Sequence, residues 1–258
     1  MMIEDLPRTV TTCTRAVSLC CAALVFSGPV ALAGETEAVV ELFTSQGCSS
    51  CPPADSTMAE LARDPKVLAL TFAVDYWDYL GWKDTFARPE FSKRQRQYAA
   101  ARGDSAVYTP QAVINGQADV VGSDGDKIRK TIASLKASGG GLTVDVKARV
   151  AGDRIIVEIP AGTPPAQGVS AVWIAAYRAP ESVEIGQGEN SGRKVTYTNV
   201  VERWQVLGMW DGQAMTVELP LADIVQEDTA GCAVILQSKR DRKPGAILGA
   251  TKIDLSGS

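Results

Sequence analysis

Two cysteines three positions apart, Cys48 and Cys51, are the residues of this sequence best suited to chemistry. A pair with this spacing on a turn can close a small disulfide. In thiol–disulfide exchange one thiol attacks a substrate disulfide, and the second resolves the mixed intermediate. The pair follows an apolar strand pattern and precedes a helical one, and a helix amino terminus favours the thiolate of the attacking cysteine. The spacing therefore predicts a redox pair, with a static structural disulfide as the alternative.

The 258 residues include no histidine, which removes several classes of chemistry. Ser-His-Asp and Cys-His nucleophiles, His-ligated zinc or copper, and haem attachment through C-x-x-C-H are excluded. After residue 33 the one further cysteine is Cys232, which leaves too few ligands for a zinc site. A Cu(I) carrier is a third alternative, because thiolates suit soft metals, but the pair has no neighbouring His or Met. We expect neither a metal nor a cofactor, and the net charge of −4 gives no reason to expect nucleic acid as a partner.

The first 33 residues are typical of a secretory leader. A weakly positive start precedes the apolar run Ala16–Phe26, and Ala31–Ala33 supplies the small-x-small pattern of a cleavage site. The apolar run is too short to span a bilayer, and the residues before Cys20 and Cys21 match a lipoprotein signal poorly. We predict cleavage before Gly34 and export to the periplasm or the exterior, with no membrane contact afterwards.

The remaining chain divides into two parts with different periodicity. Residues 34–138 alternate between short apolar strands and helices in the order β-α-β-α-β-β-α. The flexible segment Ser138–Gly141 follows, and residues 142–258 show several short segments of period two, which favours a small sandwich. The predicted strands are 38–43, 67–74, 111–114, 118–121, 142–147, 155–159, 172–177, 194–206, 215–219 and 231–237, and the predicted helices are 55–63, 89–102 and 124–136.

Residues 38–137 resemble the thioredoxin superfamily in this order of elements and in the position of the cysteine pair. Two long segments, Val40–Asp55 and Val74–Asp84, are similar to a family of secreted bacterial proteins catalogued only as a domain of unknown function. The resemblance implies an α/β thioredoxin-like domain followed by an all-β sandwich-like domain. The family has no established activity that could be transferred to this chain.

The resemblance also implies roles for individual residues. Cys48 would be the nucleophile and Cys51 the resolving thiol. Thr109 and Pro110 match the superfamily's cis-proline and would line the groove in which a substrate backbone docks. Glu41 is a hypothetical proton relay to the resolving cysteine, although it lies one residue further from the pair than the superfamily's acid. The alternative for Glu41 is an exposed strand carboxylate.

Three further features have competing interpretations. The aromatic segment Asp75–Asp84, with Trp77 as its candidate groove residue, either contacts substrate beside the cysteines or packs the two domains together. Proline at positions 52 and 53 should push Cys51 toward an extended conformation and start the helix near Pro53. Cys232 lies in an apolar strand pattern, where a thiol behaves as a small hydrophobe, and a redox partner of the pair is its alternative.

The sequence thus predicts an exported thiol–disulfide oxidoreductase whose partners are protein or small-molecule disulfides and thiols. The alternative is a non-catalytic binding protein on the same scaffold, in which the disulfide is structural. The oligomeric state, the natural substrate and the direction of electron flow are not predicted.

Overall fold

The computed structural model of this chain describes residues 1–2, 36–104, 106–163 and 168–255. The predicted leader and its cleavage site therefore lie almost wholly outside the described residues. No helix in the described ranges is long and apolar enough to cross a membrane. The helices are α1 (Pro52–Leu61), α2 (Pro89–Arg102) and α3 (Gly125–Ala137). The strands are β1 (Ala38–Thr44), β2 (Val67–Ala73), β3 (Gln111–Ile114), β4 (Ala118–Val121), β5 (Lys147–Ala151), β6 (Arg154–Ile159), β7 (Ser170–Arg178), β8 (Glu181–Glu184), β9 (Lys194–Tyr197), β10 (Val201–Trp210), β11 (Met215–Pro220), β12 (Thr229–Arg240) and β13 (Lys243–Asp254).

The first sheet places the end of β1 at its centre. Its strand order is β2-β1-β3-β4, with β1 parallel to β2 and antiparallel to β3. A tight hairpin joins β3 to β4 through Asn115 and Gly116, which both have positive φ, as the Asn-Gly pair predicts. Because β1 has a neighbour on each side, the turn that follows it begins from a fixed position.

The two faces of β1 are buried against different partners. Val40 and Leu42 point into an apolar cluster with α1 and α3. Val39 and Phe43, which alternate with them, point into a second cluster that contains Phe91 of α2. That second cluster also includes residues of β7 and β12, so part of this face packs against another sheet.

The second half of the chain forms two larger sheets and a hairpin. The four-stranded sheet has the order β10-β7-β12-β13, and the three-stranded sheet has the order β11-β6-β5. An apolar cluster that includes Ile155, Ile174 and Val234 lies between these sheets. Strands β8 and β9 pair only with each other among the described residues.

The predicted fold class, an α/β thioredoxin-like domain followed by an all-β sandwich-like domain, is wrong. The described structure is mostly β, with 42% of residues in strands, 20% in helices and several sheets. The physical reason lies in the second cluster, where Leu70 and Phe72 of the first sheet share a core with Ala175, Ala233 and Ile235 of the four-stranded sheet. The face of the first sheet that α2 leaves open is therefore covered by strands.

Individual elements agree better with the prediction than the fold class does. The seven elements between Ala38 and Ala137 occur in the predicted order. In the second half, β5 begins only at Lys147, and the predicted strand 194–206 is two strands separated by Asn199, whose φ is 50°. Strands β8 and β13 were not predicted, because polar residues and the Pro-Gly pair at 244–245 hide their alternation.

A buried ion pair joins the first sheet to α2. Arg94 Nε donates to Glu41 Oε1 at 2.7 Å, and the two side chains are 5% and 0% exposed. Arg94 Nη2 also donates to the hydroxyl of Tyr98 and to Gln237 Oε1, and Tyr98 donates to Glu41. The Arg94 guanidinium lies 4.2 Å from the ring centroid of Trp204, close enough for a cation–π interaction. The Arg94 side chain thus connects helix α2 with strands β1, β10 and β12.

We predict that Arg94→Met destabilises the protein by about 3–5 kcal/mol, because the Glu41 carboxylate is left buried without its counter-charge. The matched control is Arg154→Met, which breaks an exposed pair with Glu218 and should cost no more than about 1 kcal/mol. The free energies of unfolding come from urea titration. Equal losses in the two variants would contradict the prediction.

Candidate functional site

The cysteine pair lies in the turn that connects β1 to α1. Cys48 and Cys51 form a disulfide with a Cα–Cα distance of 5.4 Å, which confirms that the two thiols can be joined. The turn is held by Cys48 N–H, which donates to Ser45 O at 3.1 Å, and by Cys51 N–H, which donates to Cys48 O at 3.2 Å. Cys51 is the N-cap residue of α1, so the disulfide sits at a helix amino terminus.

The expected extended conformation of Cys51 is wrong. Its backbone is in the right-handed helical region, with φ −79° and ψ −35°, and α1 begins at Pro52. The carbonyl of Cys51 accepts from Ala54 N at 2.8 Å and from Asp55 N at 3.2 Å. These first helical hydrogen bonds outweigh the preference of a residue before proline for extended backbone.

The disulfide is covered, and the residues between its cysteines are not. Cys48 is 2% exposed and Cys51 is 0% exposed, whereas Ser49 and Ser50 face solvent. Ser50 Oγ lies 3.5 Å from Cys48 Sγ. Since a disulfide sulfur carries no proton, the Ser50 hydroxyl is the donor in this contact. The two serines therefore form the solvent-facing side of the disulfide turn.

The three predicted groove residues lie together beside the pair. Trp77 Nε1 donates to Thr109 Oγ1 at 2.8 Å. Trp77 also packs on the turn, since a Cβ added at Gly47 would come within 3.0 Å of Trp77 Cβ. The peptide bond between Thr109 and Pro110 is cis. Gly122 separates Pro110 from the start of α1, and a Cβ there would lie 3.3 Å from Pro110 Cβ and 3.2 Å from Ala54 Cβ.

Both interpretations of the aromatic segment 75–84 find residues that fit them. Trp77 lies against the cysteine turn, and Tyr79 is 78% exposed. Trp82 instead donates from Nε1 to Gln46 Oε1 at 2.8 Å and packs on Gly186, which comes from the second half of the chain. The segment therefore contacts the cysteine turn through Trp77, and through Trp82 it connects Gln46 with the second half of the chain.

The structure does not bring Glu41 to the cysteines. Alternation along β1 places Val40 and Leu42 on the side of α1, so Glu41 points to the opposite face of the sheet. There it is fully buried in the ion pair with Arg94. Because Glu41 is fully buried, it is not the exposed carboxylate of the alternative interpretation. Its role as a proton relay stays a prediction.

A different buried carboxyl, Asp55, lies one helical turn after Cys51. Asp55 is 2% exposed, and its Oδ1 accepts from Thr44 Oγ1 at 2.9 Å. Its Oδ2 is buried without a hydrogen-bond partner among the described residues. Burial raises the pKa of Asp55 to about 8, and the nearby Asp84 carboxyl adds to the shift. The spacing of four from Cys51 on the apolar side of α1 was the signal available in the sequence.

The second half of the chain also reaches the cysteine turn. Asn190 Nδ2 donates to Gln46 O at 2.9 Å and to Cys48 O at 2.8 Å, and Ser49 N–H donates to Glu189 Oε2 at 3.3 Å. These contacts join positions about 140 residues apart in the chain. No pattern in the sequence could have indicated them.

Cys232 lies away from the pair, in the apolar cluster between the two larger sheets. It is a free thiol with 0% exposure, and burial raises its pKa to about 12. A thiol in this environment is a packing residue with little thiolate character.

Comparison with known proteins finds a matching family model and similar solved structures. A crystal structure of protein AGR_C_4864 from Agrobacterium tumefaciens is similar with a TM-score of 0.78 and 39% identity, covering 86% of this chain and 95% of that one. HBP35 of Porphyromonas gingivalis, at 12% identity and a TM-score of 0.61, covers 87% of this chain and 76% of its own and is similar in fold alone. None of the curated proteins matches. The family model described as protein of unknown function (DUF1223) matches residues 39–237, so the chain belongs to that family.

Proposed function

We propose that this protein carries out thiol–disulfide exchange through Cys48 and Cys51. The observation that carries the proposal is the disulfide closed at the amino terminus of α1, next to exposed serines and to the hydrogen-bonded pair Trp77 and Thr109. Unpaired N–H groups and the dipole at a helix start lower the pKa of a nearby thiol. A relationship to the thioredoxin superfamily belongs to this proposal and rests on the cysteine spacing and on Thr109–Pro110, not on the fold class.

Cys48 is the sulfur that a partner attacks. It lies on the solvent side of the pair, in contact with the exposed Ser50, while Cys51 is enclosed at the N-cap. Attack on Cys48 breaks the bond to Cys51 and leaves a thiolate there. The Ser50 hydroxyl, which donates to Cys48 Sγ, would go on donating to the Cys48 thiolate once the pair is reduced.

Asp55 supplies the proton that the Cys51 thiolate takes up. Its Oδ2 has no partner in the described structure, and it lies on the helix that Cys51 begins. The raised pKa of Asp55 means that it is mostly protonated at neutral pH, so it can donate to a leaving thiolate in a site that excludes water. In the oxidising direction the same carboxylate accepts the proton from Cys51.

Export to an oxidising compartment is part of the same proposal, because a disulfide between nearby cysteines persists there. The specific observation that favours the alternative, a binding protein with a structural bridge, is the low exposure of both cysteines, 2% and 0%. The two functions differ in how easily the bridge is reduced.

The first test is the reduction potential of the Cys48–Cys51 disulfide. We expect a value of roughly −120 to −270 mV, the range of exchange proteins. Folded protein is equilibrated in glutathione and dithiothreitol buffers, trapped with a thiol reagent and analysed by mass spectrometry. Cys232→Ala serves as the control, since it removes the third thiol and should leave the value unchanged. A value below about −300 mV would mark a structural bridge and favour the binding protein.

The second test addresses the proton donor. Asp55→Asn keeps an oxygen that can accept from Thr44 and removes the proton, so reduction by dithiothreitol near pH 7 should slow about tenfold. Above about pH 8 the wild-type carboxyl is itself deprotonated, and the two rates should converge. Glu60→Gln is the comparison, because Glu60 lies on the same helix as Asp55 but is exposed to solvent. A pH–rate profile for Asp55→Asn that runs parallel to the wild-type profile would contradict the role of Asp55 as proton donor.

Stability gives an independent check on the same group. Folding raises the pKa of Asp55 from 3.8 to about 8, so the folded protein binds a proton that the unfolded chain loses. Its contribution is fully present below about pH 4 and is lost as the pH rises through about 8. Asp55→Asn should therefore gain stability relative to wild type between pH 5 and 8, by a few kcal/mol at most. A constant difference across this range, measured by urea unfolding, would argue against the raised pKa.

A further inference from the structure

The loop between β8 and β9, residues 185–193, forms part of the disulfide site. Asn190 is 1% exposed and holds the turn through two hydrogen bonds, to Gln46 O and Cys48 O. The Arg193 guanidinium donates to Asn190 Oδ1 at 3.1 Å, which orients the amide. Asn190 thereby fixes the neighbouring residue, Glu189, against the turn.

Glu189 places a carboxylate next to the approach to Cys48. Its Oε2 accepts from the N–H of Ser49, which lies between the cysteines, at 3.3 Å. Glu189 itself is exposed to solvent. Serine hydroxyls make other side-chain hydrogen bonds of residues 47–51, whereas the acceptor of the Ser49 N–H is a carboxylate. Two further acids, Asp55 and Asp84, lie near the turn, and burial raises the pKa of both, that of Asp55 to about 8.

We propose that Glu189 selects the thiol partner by charge, favouring cationic thiols and disulfides over anionic ones. The inference rests on the proposed exchange at Cys48. The attacking sulfur is a thiolate, and a further negative charge on the partner must approach the Glu189 carboxylate within several ångströms. Repulsion between like charges at this range changes a rate severalfold in water, and an ammonium group on the partner reverses the sign.

The step that Glu189 influences is the first of two. A thiolate attacks Cys48 Sγ, the Cys48–Cys51 bond breaks, and a mixed disulfide with the partner forms. The electron pair of the broken bond leaves on Cys51, which takes a proton. A second thiolate then attacks the partner's sulfur, releases the partner disulfide and leaves Cys48 as a thiolate. Two thiols are oxidised to one disulfide while the protein's disulfide is reduced to two thiols.

The experiment compares three small thiols of similar size and different charge: cysteamine, 2-mercaptoethanol and 2-mercaptoethanesulfonate. Rate constants for reduction of the protein disulfide are corrected for the thiolate fraction of each reagent. Glu189→Gln keeps an oxygen for the Ser49 N–H and removes only the charge. Glu184→Gln is the matched control. Glu184 is also an exposed carboxylate of the same hairpin, 82% exposed, but its partner is Lys194 and not the cysteine turn.

We expect the ratio of the cysteamine rate to the sulfonate rate to fall about threefold in Glu189→Gln and to stay unchanged in Glu184→Gln. Molar salt should reduce the wild-type ratio toward that of Glu189→Gln, because it screens the carboxylate. Equal ratios in wild type and Glu189→Gln would overturn the role of Glu189 and leave the exchange reaction standing. Failure of all three thiols and of dithiothreitol to reduce the disulfide would overturn both.

Discussion

The buried pair of Glu41 and Arg94 is the constraint that brings the two halves of this protein together. A carboxylate at the centre of the first sheet requires a cation, and the cation requires acceptors and aromatic rings around it. Tyr98 comes from the same helix as Arg94, whereas Gln237 and Trp204 come from the four-stranded sheet. Loss of any one of these elements would leave a charge or a polar group buried without its partner. The position of the first sheet relative to the second follows from that requirement.

The geometry of the cysteine site depends on this ion pair and the packing around it. Strand β1, which carries Glu41, ends in the turn of Cys48 and Cys51, so the ion pair also fixes where the turn begins. The second half can then place the loop of Glu189 and Asn190 against that turn. Residues far apart in the sequence thus complete one site because the sheets between them cannot shift independently.

What the sequence could predict was local. Apolar runs with Gly, Pro and Asn-Gly boundaries located the elements between residues 38 and 137, and the spacing of Cys48 and Cys51 indicated a disulfide, which the structure contains. The fold class could not be predicted in this way. Phe72 lies in a continuous apolar run, and such a run can be buried under a helix or under a second sheet. Only the three-dimensional packing shows which of the two covers it. Glu41 shows the same limit, because alternation fixes its face but not what covers that face.

Two carboxyls near the disulfide lie in different environments, and the environment decides the chemistry that each can do. Asp55 lies one helical turn after Cys51, where burial favours the protonated form, which carries a proton that it can donate. Glu189 is exposed to solvent and accepts from the Ser49 N–H, so it contributes a charge at the turn. Under the proposed exchange reaction, swapping the two environments would place a charge beside the leaving sulfur and a neutral acid beside the incoming partner. In the proposed exchange reaction, the buried carboxyl would act on the sulfur that leaves, and the exposed carboxyl would act on the thiol partner that approaches.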